Sequence, residues 1–331
     1  MIEKEQKRGL YTHAWVGWGR YGKISELKWS HSVGSQSPTL FDLASLTKAI
    51  CTAPAIELLS RKNQIDIDQP IGGLPIDLSV AEQFKSITIK GLLTHTSGLP
   101  AWRNLWLGIL SKDFKMNPQA DKWPVFFNSL RHCSLTSDKP LYSDIGYIFL
   151  GYIAEALSGH SLDEVFRGLL GELDKDISIL FRPLDHRPSE ELIETAYCPL
   201  RQRRLKGEVH DENCASMGGV SGHAGLFGDG QSLAKLLEYI LSEQLSLTRN
   251  KTKENPLGFW GWRPGEDGDE CGFGGQSSWG HLGFTGTAFW VDPAKSAYGI
   301  LLTNRVYFQR VNPAMTSFRK TVFSLLSQLA T

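Results

Sequence analysis

The sequence has no excess of charge of either sign and no long apolar run. Lysine plus arginine and aspartate plus glutamate both number 35 in 331 residues, and the isoelectric point is near 7.1. Proteins that bind nucleic acid usually present a basic surface, so we expect no nucleic-acid partner. No apolar stretch reaches the roughly 18 residues that a membrane helix requires, so we also expect no membrane span.

Cysteine is scarce, and its spacing carries no metal or disulfide signature. The five cysteines are far apart and include no Cys-x-x-Cys pair. An odd, unpaired set argues against a disulfide framework or a zinc ribbon. The segment from Met1 to Arg8 is charged and no apolar segment follows it, so no secretory signal is visible. We expect a cytoplasmic protein, or a periplasmic one if a signal peptide has been removed.

Strand-like patterns lie near both ends of the chain. Residues 11–33 alternate large apolar with small or polar side chains, which predicts a β-hairpin. Residues 288–291 and 298–303 form two further β-like runs, and an amphipathic helix is predicted over 318–329. We therefore expect an α+β fold in which one antiparallel sheet is assembled from both termini and flanked by helices.

Helical patterns dominate the rest of the chain. Apolar spacing predicts a largely buried helix from Phe41 to Lys62, in which Pro54 should cause a kink or a break. Further helices are expected at 144–158 and 233–240, and the glycine-rich, acidic stretch 255–280 is expected to form a mobile loop beside short strands.

The sequence shows no internal repeat and no linker, so we expect a single domain over 1–331. Residues 11–62 and 216–331 should form its α/β part, and about 63–215 an inserted, mostly helical subdomain.

Cofactor motifs are absent or occur in the wrong context. Gly17-Trp-Gly-Arg-Tyr-Gly22 matches the dinucleotide fingerprint, but a strand and not a helix is predicted to follow it, so we interpret it as a chance match. There is no Walker A sequence, no His-Glu-x-x-His and no Gly-x-Ser-x-Gly. We expect no cofactor.

Ser-x-x-Lys, a motif that can pair a nucleophile with an ammonium, occurs at Ser25, Ser45, Ser232 and Ser317. Only Ser45-Leu-Thr-Lys48 lies near the start of a strongly apolar helix. Residues at i and i+3 share one helix face, and a helix N-terminus favours negative charge. By itself the tetrapeptide is equally compatible with a solvated lysine.

Two further motifs follow Ser45-Leu-Thr-Lys48 in a characteristic order. These are Tyr142-Ser-Asp144 and His281-Leu-Gly283. In this order the motifs resemble the serine β-lactamase and penicillin-binding-protein superfamily, and specifically its class C-like branch of esterases and D-aminopeptidases. The segments 92–100, 225–228 and 281–293 extend the resemblance over roughly residues 11–328. Segments 209–213, 218–225 and 301–306 are similar, more loosely, to serine-hydrolase domains that accompany peptidoglycan glycosidases.

The resemblance implies a β-lactamase/transpeptidase-like fold and assigns roles to the motif residues. Ser45 would be the nucleophile, and Lys48 and Tyr142 would handle its proton, with either of them as the base. We expect the ammonium of Lys48 to lower the pKa of the Tyr142 phenol. The backbone N–H groups of Ser45 and Phe284 would form the oxyanion hole, with Gly283 permitting close approach to the substrate.

Two positions depart from the penicillin-binding pattern. Asp144 stands where asparagine is common, and an ionised carboxylate accepts but cannot donate a hydrogen bond, so we expect it to accept from Lys48 or a cationic substrate group. His281 and Leu282 replace a lysine and a hydroxyl residue that bind the substrate carboxylate, which disfavours β-lactamase activity. Arg305 is either a replacement carboxylate clamp or a surface arginine at a strand end.

The histidines at 210 and 223 admit two interpretations. His210-Asp-Glu212 with His223 could ligate a metal, but the spacing matches no standard site and the family chemistry needs no metal. We favour a hydrogen-bonded loop beside the pocket, in which His223 contacts substrate. His95-Thr-Ser97 is interpreted as structural.

The predicted function is that of a serine hydrolase that forms an acyl-enzyme. Its substrate would be a small ester or a D-amino-acid amide or peptide, and it would be more esterase than β-lactamase. The partner expected is therefore a small-molecule or muropeptide-like substrate. The alternative is a catalytically weak or inactive member of the fold that binds muropeptide or a partner.

Overall fold

A computed structural model of the chain describes residues 1–22, 26–34, 39–62, 64–78, 82–106, 122–135, 140–171, 177–242, 272–274 and 278–330. The strands are β1 (Ala14–Arg20), β2 (Glu26–Val33), β3 (Phe41–Asp42), β4 (Ile179–Phe181), β5 (Glu194–Cys198), β6 (Arg203–Lys206), β7 (Leu226–Gly228), β8 (Trp279–Leu282), β9 (Ala288–Asp292) and β10 (Ala297–Thr303). The α-helices are α1 (Ile2–Lys7), α2 (Ala53–Arg61), α3 (Ile89–Leu93), α4 (Lys122–Leu130), α5 (Asp144–Ser158), α6 (Leu162–Leu170), α7 (Glu212–Ser216), α8 (Gly230–Ser242) and α9 (Ala314–Leu329).

The main sheet is antiparallel and joins the two ends of the chain. Its order is β2-β1-β10-β9-β8, and β1 pairs with β10 from Ala14 opposite Thr303 to Arg20 opposite Ala297. The predicted hairpin, the two C-terminal strands and the C-terminal helix are therefore confirmed. So is the expected α+β fold with a sheet built from both termini.

Strand β10 is buried on both faces of the sheet, and its side chains alternate between two core clusters. Ile300 and Leu302 belong to a core cluster shared with α2, α5 and α8, whereas Leu301 packs with α1 and α9 in a second cluster. A strand with a period of two can supply both cores because successive side chains point to opposite faces. The larger cluster supports the helices that carry the candidate site.

The predicted helix over 41–62 is wrong at its start. Phe41 and Asp42 form β3, which pairs with β7, and the helical residues begin only at Leu46. Ala44 has a left-handed backbone with φ +48°, a conformation that ends the strand and turns the chain sharply. The strand pairing and this turn outweigh the helical spacing of the apolar residues.

The helix changes its type directly before Pro54. A π-helical turn over Lys48–Thr52 precedes it, and the Ala53 N–H donates to the Lys48 carbonyl. Pro54 then occupies the first turn of α2, where its missing N–H is least costly. The expected disturbance is therefore present one turn earlier, as a wider helical turn.

The helices predicted at 144–158 and 233–240 are present as α5 and α8. The interval 63–215 contains α3 to α7 and also β4, β5 and β6. Most of the predicted loop over 255–280 lies outside the described residues. Within the described ranges Cys51, Cys133, Cys198 and Cys214 are free thiols, and no helix there is long and apolar enough to cross a membrane.

Candidate active site

Ser45 and Lys48 meet at the beginning of the helix that leads into α2. The Lys48 ammonium donates to Ser45 Oγ across 2.9 Å. Ser45 is half-buried, whereas the Lys48 side chain is 0% exposed. The i and i+3 spacing therefore places an accessible hydroxyl directly against a buried cation.

Two acceptors compensate the burial of the Lys48 ammonium. Asp144 Oδ1 lies 2.7 Å from Lys48 Nζ, and the His223 carbonyl accepts from it at 3.1 Å. Burial alone would lower the pKa of Lys48, but Asp144 and Tyr142 outweigh burial and raise that pKa. The lysine is therefore held as an ammonium, paired with Asp144 as the sequence predicted.

Tyr142 completes this cluster. Its phenol makes side-chain hydrogen bonds with Ser45 and Lys48, and the Lys48 ammonium lies 4.9 Å from the ring centroid. Burial raises the pKa of Tyr142, and Lys48 offsets this effect only in part. Lys48 therefore lowers the pKa of the phenol, as expected, but burial, which is not visible in the sequence, has the larger effect and raises it.

The start of α5 and His95 hold Tyr142 in place. Ser143 is the N-cap of α5: its Oγ accepts from the Gly146 N–H at 3.0 Å and donates to the Pro100 carbonyl at 2.7 Å. His95 Nδ1 accepts from the Ser143 N–H at 3.0 Å, and its ring centroid lies 4.6 Å from that of Tyr142. Burial lowers the pKa of His95 to about 3, so this acceptor is neutral. His95 therefore supports the site directly.

Two backbone turns bring the predicted oxyanion-hole residues together. We call residues 42–45 the nucleophile turn and residues 283–287 the oxyanion turn. Thr285 Oγ1 donates to the Asp42 carbonyl at 2.6 Å, and Thr287 Oγ1 donates to the Leu43 carbonyl at 3.1 Å. Neither the Ser45 nor the Phe284 N–H donates to another described residue. Both N–H groups therefore stay the predicted donors of the oxyanion hole.

Gly283 is required for this contact. A Cβ atom at this position would collide with Thr287 Oγ1 and would lie 2.9 Å from the Leu43 carbonyl. Only glycine therefore lets the oxyanion turn approach the nucleophile turn so closely.

His281, on β8, lines the same site. Its ring centroid lies 6.0 Å from that of Tyr142, and its Nδ1 contacts the Leu282 carbonyl at 2.9 Å. Burial, and secondarily Lys48, lowers the pKa of His281 to about 3. At neutral pH this position carries no positive charge, unlike the lysine it replaces in the penicillin-binding pattern.

His223 reaches the site through its backbone. Its ring is buried between Asp211 Oδ1 and Ser221 Oγ, both at 2.9 Å, so both ring nitrogens are occupied. Burial would raise the pKa of Asp211, but His223 outweighs it and holds that pKa well below its usual range. Among the described residues no group of His, Cys, Asp and Glu side chains is placed to hold a metal ion.

Arg305 lies behind the oxyanion turn. Its guanidinium is 4.8 Å from the Phe284 ring centroid and donates to the Arg310 carbonyl at 3.0 Å. Arg310 is 5.3 Å from the same ring, and His210 stacks on it at 5.4 Å. Phe284, which is 42% exposed, is therefore surrounded by two guanidinium groups and an imidazole.

Two residues of this assembly were not identified from the sequence as part of the site: Asp42 and His95. The Asp42 carboxylate is buried and accepts from the N–H groups of Ala44 and His210. Burial raises its pKa to about 6 despite these two hydrogen bonds. A signal was present for each, since Asp42 lies three residues before Ser45 and His95 belongs to the family-like segment 92–100.

The sequence matches a family model described as Beta-lactamase over residues 22–320. The chain is 32% identical over 312 residues to an N-acetylmuramyl-L-alanine amidase of Bacillus subtilis, covering 83% of this chain and 70% of that protein. It is 27% identical over 344 residues to a putative D-alanyl-D-alanine carboxypeptidase of Escherichia coli, covering 92% and 77% of the two chains.

The fold is similar to that of EstCE1, described as a hydrolase with promiscuous acyltransferase activity. The two structures superpose with a TM-score of 0.66 at 16% identity, over 97% of this chain and 96% of the other. At that identity the similarity concerns the fold alone.

Proposed function

The chain belongs to the beta-lactamase family, and from that premise we propose that it is a serine hydrolase acylated at Ser45. One observation carries the proposal. The Ser45 hydroxyl lies 2.9 Å from the Lys48 ammonium, which in turn lies 2.7 Å from Asp144, while Tyr142 hydrogen-bonds to both Ser45 and Lys48. An accessible hydroxyl beside two buried proton carriers is the arrangement that nucleophilic catalysis requires.

Acylation begins when Ser45 Oγ attacks a carbonyl carbon. The coupled pair of Lys48 and Tyr142 must first be one proton short, as an ammonium beside a phenolate or as an amine beside a phenol, and the member that lacks the proton accepts the hydroxyl proton. The carbonyl oxygen becomes an oxyanion and accepts from the N–H groups of Ser45 and Phe284. When the bond to the leaving alcohol or amine breaks, the pair returns the proton to that group. A water molecule then attacks the acyl-serine by the same route and releases the acid.

Asp144 keeps a positive charge at Lys48 between these steps. The pair is buried, and an unpaired ammonium in that position would be strongly disfavoured. A positive Lys48 stabilises the phenolate form of Tyr142, so it offsets the effect of burial during proton transfer. Asp144 can also accept from a cationic group of the substrate, since its side chain is 19% exposed.

The substrate class follows from the uncharged His281 and from the relatives. We propose a small ester or a D-amino-acid amide or peptide, with muropeptide fragments as the natural class, because the relatives are named for peptidoglycan amides. A neutral His281 does not attract the carboxylate of a penicillin, so esters should be better substrates than β-lactams. Arg305 remains a proposed carboxylate clamp, with its guanidinium stacked on Phe284.

The test is covalent labelling. A fluorophosphonate should add once to the wild-type protein, as seen by intact mass, and Ser45→Ala should abolish both the adduct and ester turnover. Ser317→Ala is the matched control, because Ser317 begins another Ser-x-x-Lys motif on the exposed side of α9. An adduct retained in Ser45→Ala would overturn the assignment. A wild-type protein that neither labels nor turns over any ester or peptide would favour the binding-only alternative.

A further inference from the structure

Asp42 connects three segments of the candidate site from a buried position. Its side chain is 2% exposed, and each carboxylate oxygen accepts one backbone N–H. Oδ1 accepts from Ala44 at 2.8 Å and Oδ2 accepts from His210 at 2.6 Å. Its carbonyl oxygen accepts from Thr285 Oγ1 at 2.6 Å. All three partners belong to different parts of the sequence.

The bond to Ala44 fixes the nucleophile turn. Ala44 has φ +48°, a left-handed conformation that residues with a Cβ adopt only when the surroundings enforce it. The Asp42 carboxylate holds the N–H of this strained residue directly before Ser45. The direction of the Ser45 N–H, one of the two proposed oxyanion donors, therefore depends on this hydrogen bond.

The other two bonds fix the oxyanion turn. Thr285 directly follows Phe284, so the hydrogen bond from Thr285 Oγ1 to Asp42 sets the distance between the two turns. The His210 N–H is held by the carboxylate while the His210 ring stacks on the Phe284 ring at 5.4 Å and 28°. Phe284 is thus located from both its backbone and its ring by groups bound to Asp42.

We propose that Asp42 is a positioning residue that orients the N–H groups of Ser45 and Phe284 so that they form one oxyanion hole. Asp42 does not touch the substrate. It acts through Ala44, Thr285 and His210. The inference rests on the proposed function, since it concerns the oxyanion hole of a Ser45 acyl-transfer site.

The first test replaces the carboxylate by an amide. In Asp42→Asn one of the two N–H donors must face an NH₂ group, because the two donors meet separate oxygens. A misplaced oxyanion donor should lower kcat for a small aryl ester by about 10- to 100-fold, with KM little changed. Affinity for phenylboronic acid should fall by a similar factor. Its boron becomes tetrahedral on addition of the serine oxygen and so requires the same hole.

The matched control is Asp229→Asn. Asp229 also binds two groups through separate oxygens, the Ser232 N–H at 2.8 Å and the Ser232 hydroxyl at 2.7 Å, and these bonds hold the start of α8 and not either turn. Asp229→Asn should lower the melting temperature without changing kcat or boronate affinity. If Asp42→Asn has the same profile as this control, Asp42 is only a structural residue and the inference is wrong.

A second pair of variants keeps the test decisive if Asp42→Asn does not fold. Thr285→Val removes the hydroxyl that binds the Asp42 carbonyl, and Thr285→Ser retains it. We expect Thr285→Val to lose kcat and boronate affinity and Thr285→Ser to keep both. Equal kcat in the two would refute the inference. The proposed function would be refuted by a different result, an adduct retained in Ser45→Ala. That test does not depend on the comparison of these variants.

Discussion

At the scale of single residues, one buried cation, Lys48, dominates the electrostatics of the site. The Lys48 side chain is completely buried. Its charge is tolerated because it pairs with Asp144 and donates a hydrogen bond to the His223 carbonyl. Removing one member of a buried pair typically costs about 3–5 kcal/mol, since the other charge stays uncompensated. The same burial raises the pKa of the Tyr142 phenol, and the neighbouring ammonium lowers it.

Tyr142→Phe tests the proton-transfer role. The variant keeps the ring that contacts His95 and loses only the hydroxyl, so the fold should be retained. We expect kcat for an aryl ester to fall by about 10²- to 10⁴-fold, the range typical of general acid–base catalysis. Steady-state kinetics with a parallel melting curve measures this. A loss of only a few-fold would show that Lys48 or water carries the proton.

His281→Lys combined with Leu282→Thr tests the substrate preference. The change supplies a charge and a hydroxyl that can bind a carboxylate, and one charge-assisted hydrogen bond contributes about 1.5–3 kcal/mol. The ratio of kcat/KM for carboxylate-bearing substrates to that for neutral esters should rise by about tenfold or more. Leu282→Thr alone is the control, because it leaves the charge at position 281 unchanged. A wild-type protein that already prefers penicillins would contradict the argument.

At the scale of elements, the site is built where two turns meet beside the start of a helix. The sequence identified Ser45, Lys48 and Tyr142 because their chemistry is local and their motifs are ordered. It missed the role of Asp42, since a hydrogen bond to His210 spans 168 positions and leaves no periodic trace. It also missed the effect of burial on the phenol pKa and misplaced the start of the helix, because both depend on burial and strand pairing that only the folded chain creates.

Gly283→Ala tests the close approach of the oxyanion turn. The added Cβ would meet Thr287 Oγ1 and the Leu43 carbonyl, so the two turns must separate. We expect kcat to fall by about 100-fold, as for a misplacement near 1 Å.

The control is Gly168→Ala within α6, where an added Cβ meets no atom within 4 Å. There alanine should stabilise the fold by about 0.5–1 kcal/mol and leave activity unchanged. Urea unfolding and ester kinetics measure both variants. Full activity in Gly283→Ala would show that the turns need not be in contact.

At the scale of the whole molecule, buried titratable groups couple folding to pH. Burial lowers the pKa of His95 and His281 to about 3 and that of His210 to about 4, against 6.5 for the ordinary side chain. Below pH 6.5 these three histidines are therefore protonated in the unfolded chain but not in the native protein. Asp42 acts in the opposite direction, because burial raises its pKa to about 6 from 3.8. The effect of the three histidines on the number of protons bound is larger than that of the one aspartate.

The protein should therefore lose stability as the pH falls from 6.5 towards 4. A net difference of about two protons corresponds to a slope of about 3 kcal/mol per pH unit in the free energy of unfolding near pH 5. Urea unfolding at several pH values measures the slope. His281→Gln should reduce the slope by the contribution of about one proton. His160→Gln should leave the slope unchanged, since His160 is exposed. A slope of zero or of opposite sign would contradict the prediction.

The pairing of β1 with β10 has a consequence for how the protein is made. On the ribosome, β1 is complete when Arg20 emerges, but its partner begins only at Ala297. At a translation rate of about 5–20 residues per second, the nascent hairpin waits roughly tens of seconds with one edge unpaired. An open strand edge is a template for wrong pairing. Newly synthesised chains should therefore depend on chaperones that shield this hairpin, and truncated translation products should aggregate rather than fold.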